Sequence, residues 1–366
     1  MNDAAALIPI TILTGYLGSG KTTLLNTYLA TPDVPPTAVV INEFGDIGLD
    51  HLLVQKTTEN LVLLENGCIC CTVRDDLRAT LVRLVEQSKR GDIPAFSRVI
   101  IETTGLADPV PIIHTLMNDL SLMLHYSIAQ VLVTVDAVTG DSTLDRFAEG
   151  RKQAAFADRV LLTKSELCAS AGALNGLKQR LFQLNPGMIL TNKADLPAIG
   201  SILEADLFNP RTKGAVIDSW LQQVQHYQGQ HDHHHHHHDH DGPCDDSCVV
   251  LHQHDDRIRT FCILRDRPLP WNLVSSWLDG LIAKFGTDML RVKGILDVAE
   301  SPGRPLVVHG VQHLFHPPET LDRWPSDDHR SRVVFITHDI EMSVVAEALQ
   351  EAEARAAGIS ESRAAG

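Results

Sequence analysis

Three features of this 366-residue chain predict an α/β fold. Short β-branched runs alternate with amphipathic helical stretches through the first two-thirds. A glycine-rich turn joins the first run to the first helical stretch. A polar tract then precedes a shorter, strand-rich segment. Alternation of this kind favours right-handed crossovers and a parallel sheet covered by helices on both faces. The expected architecture is doubly wound and mostly parallel, with a second, smaller α+β domain.

The strands are expected at Ile8–Leu13, Ala38–Ile41, Leu61–Leu64, Arg98–Ile101, Gln130–Val135, Arg159–Leu162 and Met188–Leu190. Amphipathic stretches at Leu77–Glu86, Pro109–Leu116 and Leu174–Leu184 supply helices between them. From Gly214 to Asp256 there is no Lys or Arg, while eight Asp fall in that span. Residues 228–256 carry too little apolar surface to pack and are expected to be a linker. Beyond it, Arg259–Leu264, Leu290–Val298, Leu306–Leu314 and Val333–Ile336 read as strands, and Trp271–Phe285 as a helix. Asp339 is placed to cap a last helix running from Ile340 into the alanine-rich tail. The expected domains are therefore 1–227, the linker 228–256, a second domain over 257–350 and a tail over 351–366.

Thirty-one Lys and Arg against 46 Asp and Glu leave a formal charge of −15. So acidic a chain lacks the electrostatic footprint of a nucleic-acid binder. No apolar run approaches the ~20 residues needed to span a bilayer. The start, MNDAAALIPITILTG, has no basic region before its apolar run, so no export signal is expected. The seven cysteines then read as reduced thiols in a cytoplasmic protein, available to a metal.

Gly15-Tyr16-Leu17-Gly18-Ser19-Gly20-Lys21-Thr22-Thr23 follows the first strand and opens the first helix. Gly15, Gly18 and Gly20 let backbone N–H groups turn inward around phosphates, and the helix N-terminus adds partial positive charge. Lys21 is expected to reach the β- and γ-phosphates, the Thr22 hydroxyl to ligate magnesium, and Ser19 and Thr23 to complete the cradle. In RVIIETTGLADP, Glu102 ends an apolar strand and Gly105 follows in the next loop. A carboxylate there can hold magnesium through water, and the Gly105 N–H can bond the γ-phosphate. The chain is thus expected to bind a nucleoside triphosphate. Two turns could read its base. Thr163-Lys164-Ser165-Glu166 is the better placed, after the fifth likely sheet strand, and Asn192-Lys193-Ala194-Asp195 is the better string.

Cys68, Cys70 and Cys71 lie between the phosphate loop and Glu102. Soft thiolates suit zinc or another late first-row metal, with cobalt possible. Further ligands must come from elsewhere, and Glu43, Asp46, Asp50 and His51 are candidates.

The segments GYLGSGKTT, INEFGDIGLD, ENGCICCTVRDDL, ETTGLADP and ADRVLLTKSEL, in this order, resemble the CobW family of metal-handling P-loop GTPases. The stretches DMLRVKGILDVAE, VVHGVQHLFH and RSRVVFIT are similar to that family's C-terminal domain. The resemblance implies GTP as the nucleotide and a metal bound at Cys68, Cys70 and Cys71. It further implies coupling of that site to the nucleotide state and delivery of the ion to a client metalloprotein. Thr163–Glu166 becomes the base-recognition turn, with Glu166 standing where the family usually has Asp. The sequence assigns neither catalytic base nor arginine finger, so slow intrinsic hydrolysis is expected.

Eleven of the 19 histidines lie between His226 and His254. His231, His233, His234, His235, His236, His237, His238 and His240, beside Cys244 and Cys248, should hold several ions weakly and lose them below about pH 6. A linker of ~30 residues spans roughly 30 Å, enough to pass an ion across a small domain. Three rival readings remain: a His-rich metal store with regulatory nucleotide binding, an ATP-dependent enzyme or assembly factor suggested by Glu166, and a cobalt-handling factor of cobalamin synthesis. Monomer and homodimer are equally open.

Overall fold

A computed structural model describes residues 7–42, 61–65, 73–207, 248–254 and 257–364. These fall into two compact units. One comprises the described residues up to Arg180 together with 188–207, and the other comprises 181–187 together with those from Cys248 onward.

The strands of the first unit are β1 (Ile8–Thr14), β2 (Thr37–Asn42), β3 (Leu61–Glu65), β4 (Arg98–Thr103), β5 (Tyr126–Asp136), β6 (Arg159–Thr163) and β7 (Ile189–Asn192). They pair in parallel in the order β3-β2-β4-β1-β5-β6-β7. The helices are α1 (Lys21–Leu29), α2 (Val73–Arg90), α3 (Val110–Asn118), α4 (Leu120–Met123), α5 (Gly140–Arg146), α6 (Ala148–Phe156), α7 (Ala171–Leu184, whose residues from Leu181 on are counted with the other unit) and α8 (Gly200–Leu203). The expected doubly wound parallel sheet is what forms. Central strands are buried on both faces and read as continuous apolar runs; Ile10, Ile12 and Leu13 are fully buried. Pro9 is tolerated because pairing with β4 begins only at Ile10, where a second neighbour first needs an N–H. Leu13, Leu132 and Leu161 of the sheet pack with Leu24, Leu25 and Tyr28 of α1 and with Ile202 and Leu203 of α8.

Strand β5 is longer than expected, beginning at Tyr126 rather than Gln130. Its added first residues run beside Ile8–Ile10 of β1, and Gln130 within it is fully buried, its amide donating to the Ile202 and Ala205 carbonyls. These two donated bonds offset part of the cost of burying the polar side chain.

The second unit holds β8 (Cys248–His254), β9 (Ile258–Arg265), α9 (Trp271–Phe285), β10 (Arg291–Leu296), β11 (Leu306–Val311), β12 (Leu314–Phe315), β13 (Glu319–Thr320), β14 (Ser331–His338) and α10 (Met342–Ala364). Its strands form an antiparallel sheet, β12-β11-β10-β14-β9-β8, with β13 beside β11. Phe261, Trp277 and Phe335 centre the core on one face, and Val307, Val334 and Trp324 pack on the other. Two expectations need correction. Residues 248–254, assigned to the linker, form edge strand β8; the Val249–Leu251 run suffices where only one neighbour must be matched. The last helix begins at Met342, and Asp339 does not cap it. Asp339 instead adopts a left-handed conformation (φ 56°) and donates its N–H to the Arg257 carbonyl.

Candidate nucleotide site

Strand order reverses about β1, which has β4 on one side and β5 on the other. Ligands of open α/β sheets gather at the carboxyl ends of strands around such a point. The glycine-rich loop leaves β1 there and closes onto α1. Gly15, Gly18 and Gly20 have φ of 142°, 72° and 93°, conformations that a side chain strains. At Gly15 there is also no room, since a Cβ would sit 2.3 Å from the Thr134 carbonyl oxygen. Gly15→Ala is therefore expected to cost about 3 kcal/mol, from backbone strain of about 1–3 and overpacking of a similar size. Chemical denaturation of the two proteins measures it.

The loop is held from below by short bonds. The hydroxyls of Ser19 and Thr134 lie 2.7 Å apart, and Thr103 Oγ1 donates to Thr14 Oγ1 at 2.7 Å. Lys21 is the first residue of α1 and is buried, with Nζ donating to the Gly15 carbonyl at 2.8 Å and the Tyr16 carbonyl at 3.4 Å. Thr22 Oγ1 donates to Glu102 Oε1 at 2.7 Å. The β1–β4 register sets this pair, since Leu13 lies opposite Glu102. Glu102 is 5% exposed, so its carboxylate sits largely out of water beside the start of α1. Gly105 packs against Leu17, where a Cβ would meet the Leu17 backbone nitrogen at 2.6 Å. Thr23 is exposed on the first turn of α1.

The turn after β6 closes the other side. Thr163 Oγ1 donates to the Ser19 carbonyl at 2.7 Å. Lys164, in a left-handed conformation (φ 56°), donates Nζ to the Gly18 carbonyl at 2.8 Å and to Asp136 Oδ2 at 2.7 Å. Burial pushes the Asp136 carboxyl up. The Lys164 hydrogen bond, the Val138 amide and the Lys164 charge together outweigh burial and hold it below its ordinary value. Glu166 is exposed on the following 3₁₀ turn, Ser165–Leu167. The two candidate base turns adjoin: Ser165 Oγ donates to Asn192 Oδ1 at 2.6 Å. Of the two, Thr163–Glu166 reaches the phosphate loop, through Thr163 and Lys164.

Lys21, Thr22, Glu102, Gly105, Thr163 and Lys164 thus converge on one loop. Cys68, Cys70, Cys71, Glu43, His231, His233, His234, His235, His236, His237, His238 and His240 lie outside the described residues. Among the described residues no group of three His, Cys, Asp or Glu could hold a metal ion, and no helix is long and apolar enough to cross a membrane. In the sequence Asp136, ending an apolar strand, is equally compatible with shaping the nucleotide pocket and with a structural turn; the fold joins it to Lys164. Sequence reasoning passed over Thr134, which only the fold brings to Ser19.

Residues 9–192 match the family model for the CobW/HypB/UreG nucleotide-binding domain, and residues 258–353 match the cobalamin synthesis protein cobW C-terminal domain. Zinc chaperone YjiA of Escherichia coli strain K12 is 32% identical over 336 residues, covering 90% of this chain and 93% of that protein. Zinc chaperone CobW of a Sinorhizobium species is 28% identical over 338 residues, covering 82% and 83%. The crystal structure of Zn(II)-bound YjiA GTPase from E. coli superposes with a TM-score of 0.65 at 25% identity, over 94% of this chain and 99% of that one. With both domain models matched in order and a relative aligned along nine-tenths of its length, the chain belongs to the CobW/HypB/UreG family, and its parallel sheet is the family's nucleotide-binding domain.

Proposed function

We propose that the protein is a GTPase metallochaperone that binds zinc at Cys68, Cys70 and Cys71, grips it according to the nucleotide held, and passes it to a client protein. The observation that carries the coupling is a register. Glu65, the last residue of β3, and Glu102 both pair with Ile41 of β2. With strands ~4.8 Å apart, the connector bearing the cysteines leaves the sheet about 10 Å from Glu102. The names of the relatives supply zinc and GTP: zinc chaperone, and, for a Schizosaccharomyces pombe protein 34% identical over 55% of this chain and 50% of its own length, zinc-regulated GTPase metalloprotein activator 1.

In this reading the loop amides and the N-terminus of α1 bind the phosphates, and Lys21 leaves its carbonyl partners to reach the β- and γ-phosphates. Glu166 takes the guanine edge, one methylene longer than an Asp. The Thr22 hydroxyl and the Glu102 carboxylate suit magnesium, which prefers one or two protein oxygens and otherwise water and phosphate. Bound there, it neutralises charge on the phosphates. Gly105 presents its N–H to the γ-phosphate, so hydrolysis changes what this turn and the neighbouring connector can hold. Cobalt is the alternative cargo.

The test is a zinc titration against a competing chelator, in a variant lacking residues 231–240, with GDP or a non-hydrolysable GTP analogue bound. Zinc affinity is expected to differ by about tenfold or more, which is 1.4 kcal/mol of linkage. A single dissociation constant for both nucleotides would falsify the coupling.

A further inference from the structure

The turn that follows Glu102 is clamped from two sides. Internally it closes through Ala107 N–H to the Thr104 carbonyl at 3.1 Å. On one side Gly105 abuts Leu17 of the phosphate loop with no space for a methyl. On the other side stands Gln153 of α6, almost 50 residues further along the chain and 1% exposed. Its Nε2 donates to the Gly105 carbonyl at 3.2 Å and to the Ala107 carbonyl at 3.0 Å. Two carbonyl acceptors on one side require the amide nitrogen to face them, which fixes how this side chain sits. The corner between α5 and α6 reaches the phosphate loop as well, since Phe147 stacks on Tyr16 with ring centroids 4.7 Å apart.

We infer that Gln153 is a positioning residue for recognition of the γ-phosphate: it sets the turn so that the Gly105 N–H meets the terminal phosphate of GTP. The inference rests on the nucleotide reading above and adds the element that holds this donor in place. A buried amide that spends both N–H groups on one turn is expensive to bury without those partners. Its bonds fall on the Gly105 and Ala107 carbonyls, one and three peptide units after the one that carries the Gly105 N–H. Misplacing a reacting group by about 1 Å can cost on the order of a hundredfold in rate. The Gln153 amide donates to the turn carbonyls of Gly105 and Ala107 and not to the loop Gly15–Thr23, so binding of a nucleoside diphosphate should not depend on it.

The experiment uses the full chain. Gln153→Met keeps length and bulk and removes both donors. Gln153→Asn keeps the amide but is one methylene short, and it is read in the same way if Gln153→Met does not fold. Proteins melting close to wild type are compared for GTP turnover at saturation and for binding of fluorescent GDP and a fluorescent non-hydrolysable GTP analogue. Turnover and analogue affinity are expected to fall about tenfold or more, with GDP affinity within about twofold of wild type. Equal losses for GDP and the analogue, or unchanged turnover and analogue affinity in a folded variant, overturn the inference. Wild-type protein that binds neither nucleotide overturns the nucleotide reading, and the inference with it.

Discussion

Lys21→Ala is expected to reduce GTP turnover by about a thousandfold, the upper range for deleting one preorganised donor to developing charge. The Lys21 ammonium rests on the Gly15 and Tyr16 carbonyls at the mouth of α1, within reach of a triphosphate in the loop. It is buried, so its charge acts in a medium of lower effective dielectric than water. Loss of the ammonium leaves loop carbonyls facing phosphate oxygens, and GTP affinity should fall alongside the rate. Steady-state turnover and nucleotide titration check both. The same variant separates a chaperone from a store. In a nucleotide-coupled chaperone, the zinc affinity of Lys21→Ala no longer responds to added GTP analogue. In a His-rich store, zinc binding is indifferent to the substitution from the outset.

The second large effect is expected at Glu102. Glu102→Ala should lower turnover by about a hundredfold and move the magnesium requirement to higher concentration, read as turnover against added magnesium. Glu102 accepts the Thr22 hydroxyl, so truncation leaves that hydroxyl without its carboxylate next to the phosphates. Glu102→Gln keeps volume and an acceptor for Thr22 but removes the charge. It is expected to fold like wild type and still need more magnesium. GDP affinity in the absence of magnesium should change little in either variant, because the loop amides and Lys21 are untouched. A magnesium dependence identical to wild type in Glu102→Gln would assign this carboxylate to packing alone.

The fold was readable in the chain where one physical signal dominated. The central strands are buried on both sides and show as unbroken apolar runs, and Trp271–Phe285 forms the helix expected over those same residues. Errors arose at element ends and where pairing is one-sided. Strand β5 gains Tyr126–Ala129 by running beside Ile8–Ile10 of β1. Residues 248–254 look like linker by composition and become β8 by pairing with β9. Asp339 has a cap-forming side chain, but the chain turns left-handed there and the helix starts three residues later.

The phosphate loop was legible because its chemistry is local: glycines, Lys21 and Thr22 sit together in nine consecutive residues, and the backbone itself is the ligand. Membership of the CobW family was legible for the same reason, as a series of short ordered segments. Tertiary structure alone decided which distant residues complete the site. The β1–β4 register brings Glu102 to Thr22 across 80 residues, the turn after β6 carries Lys164 to the Gly18 carbonyl, and α6 delivers Gln153 to the turn at Gly105. Each of these bonds joins residues whose separation along the chain conveys nothing about their distance in space. They depend on strand order and helix packing, which sequence pattern constrains only as a class.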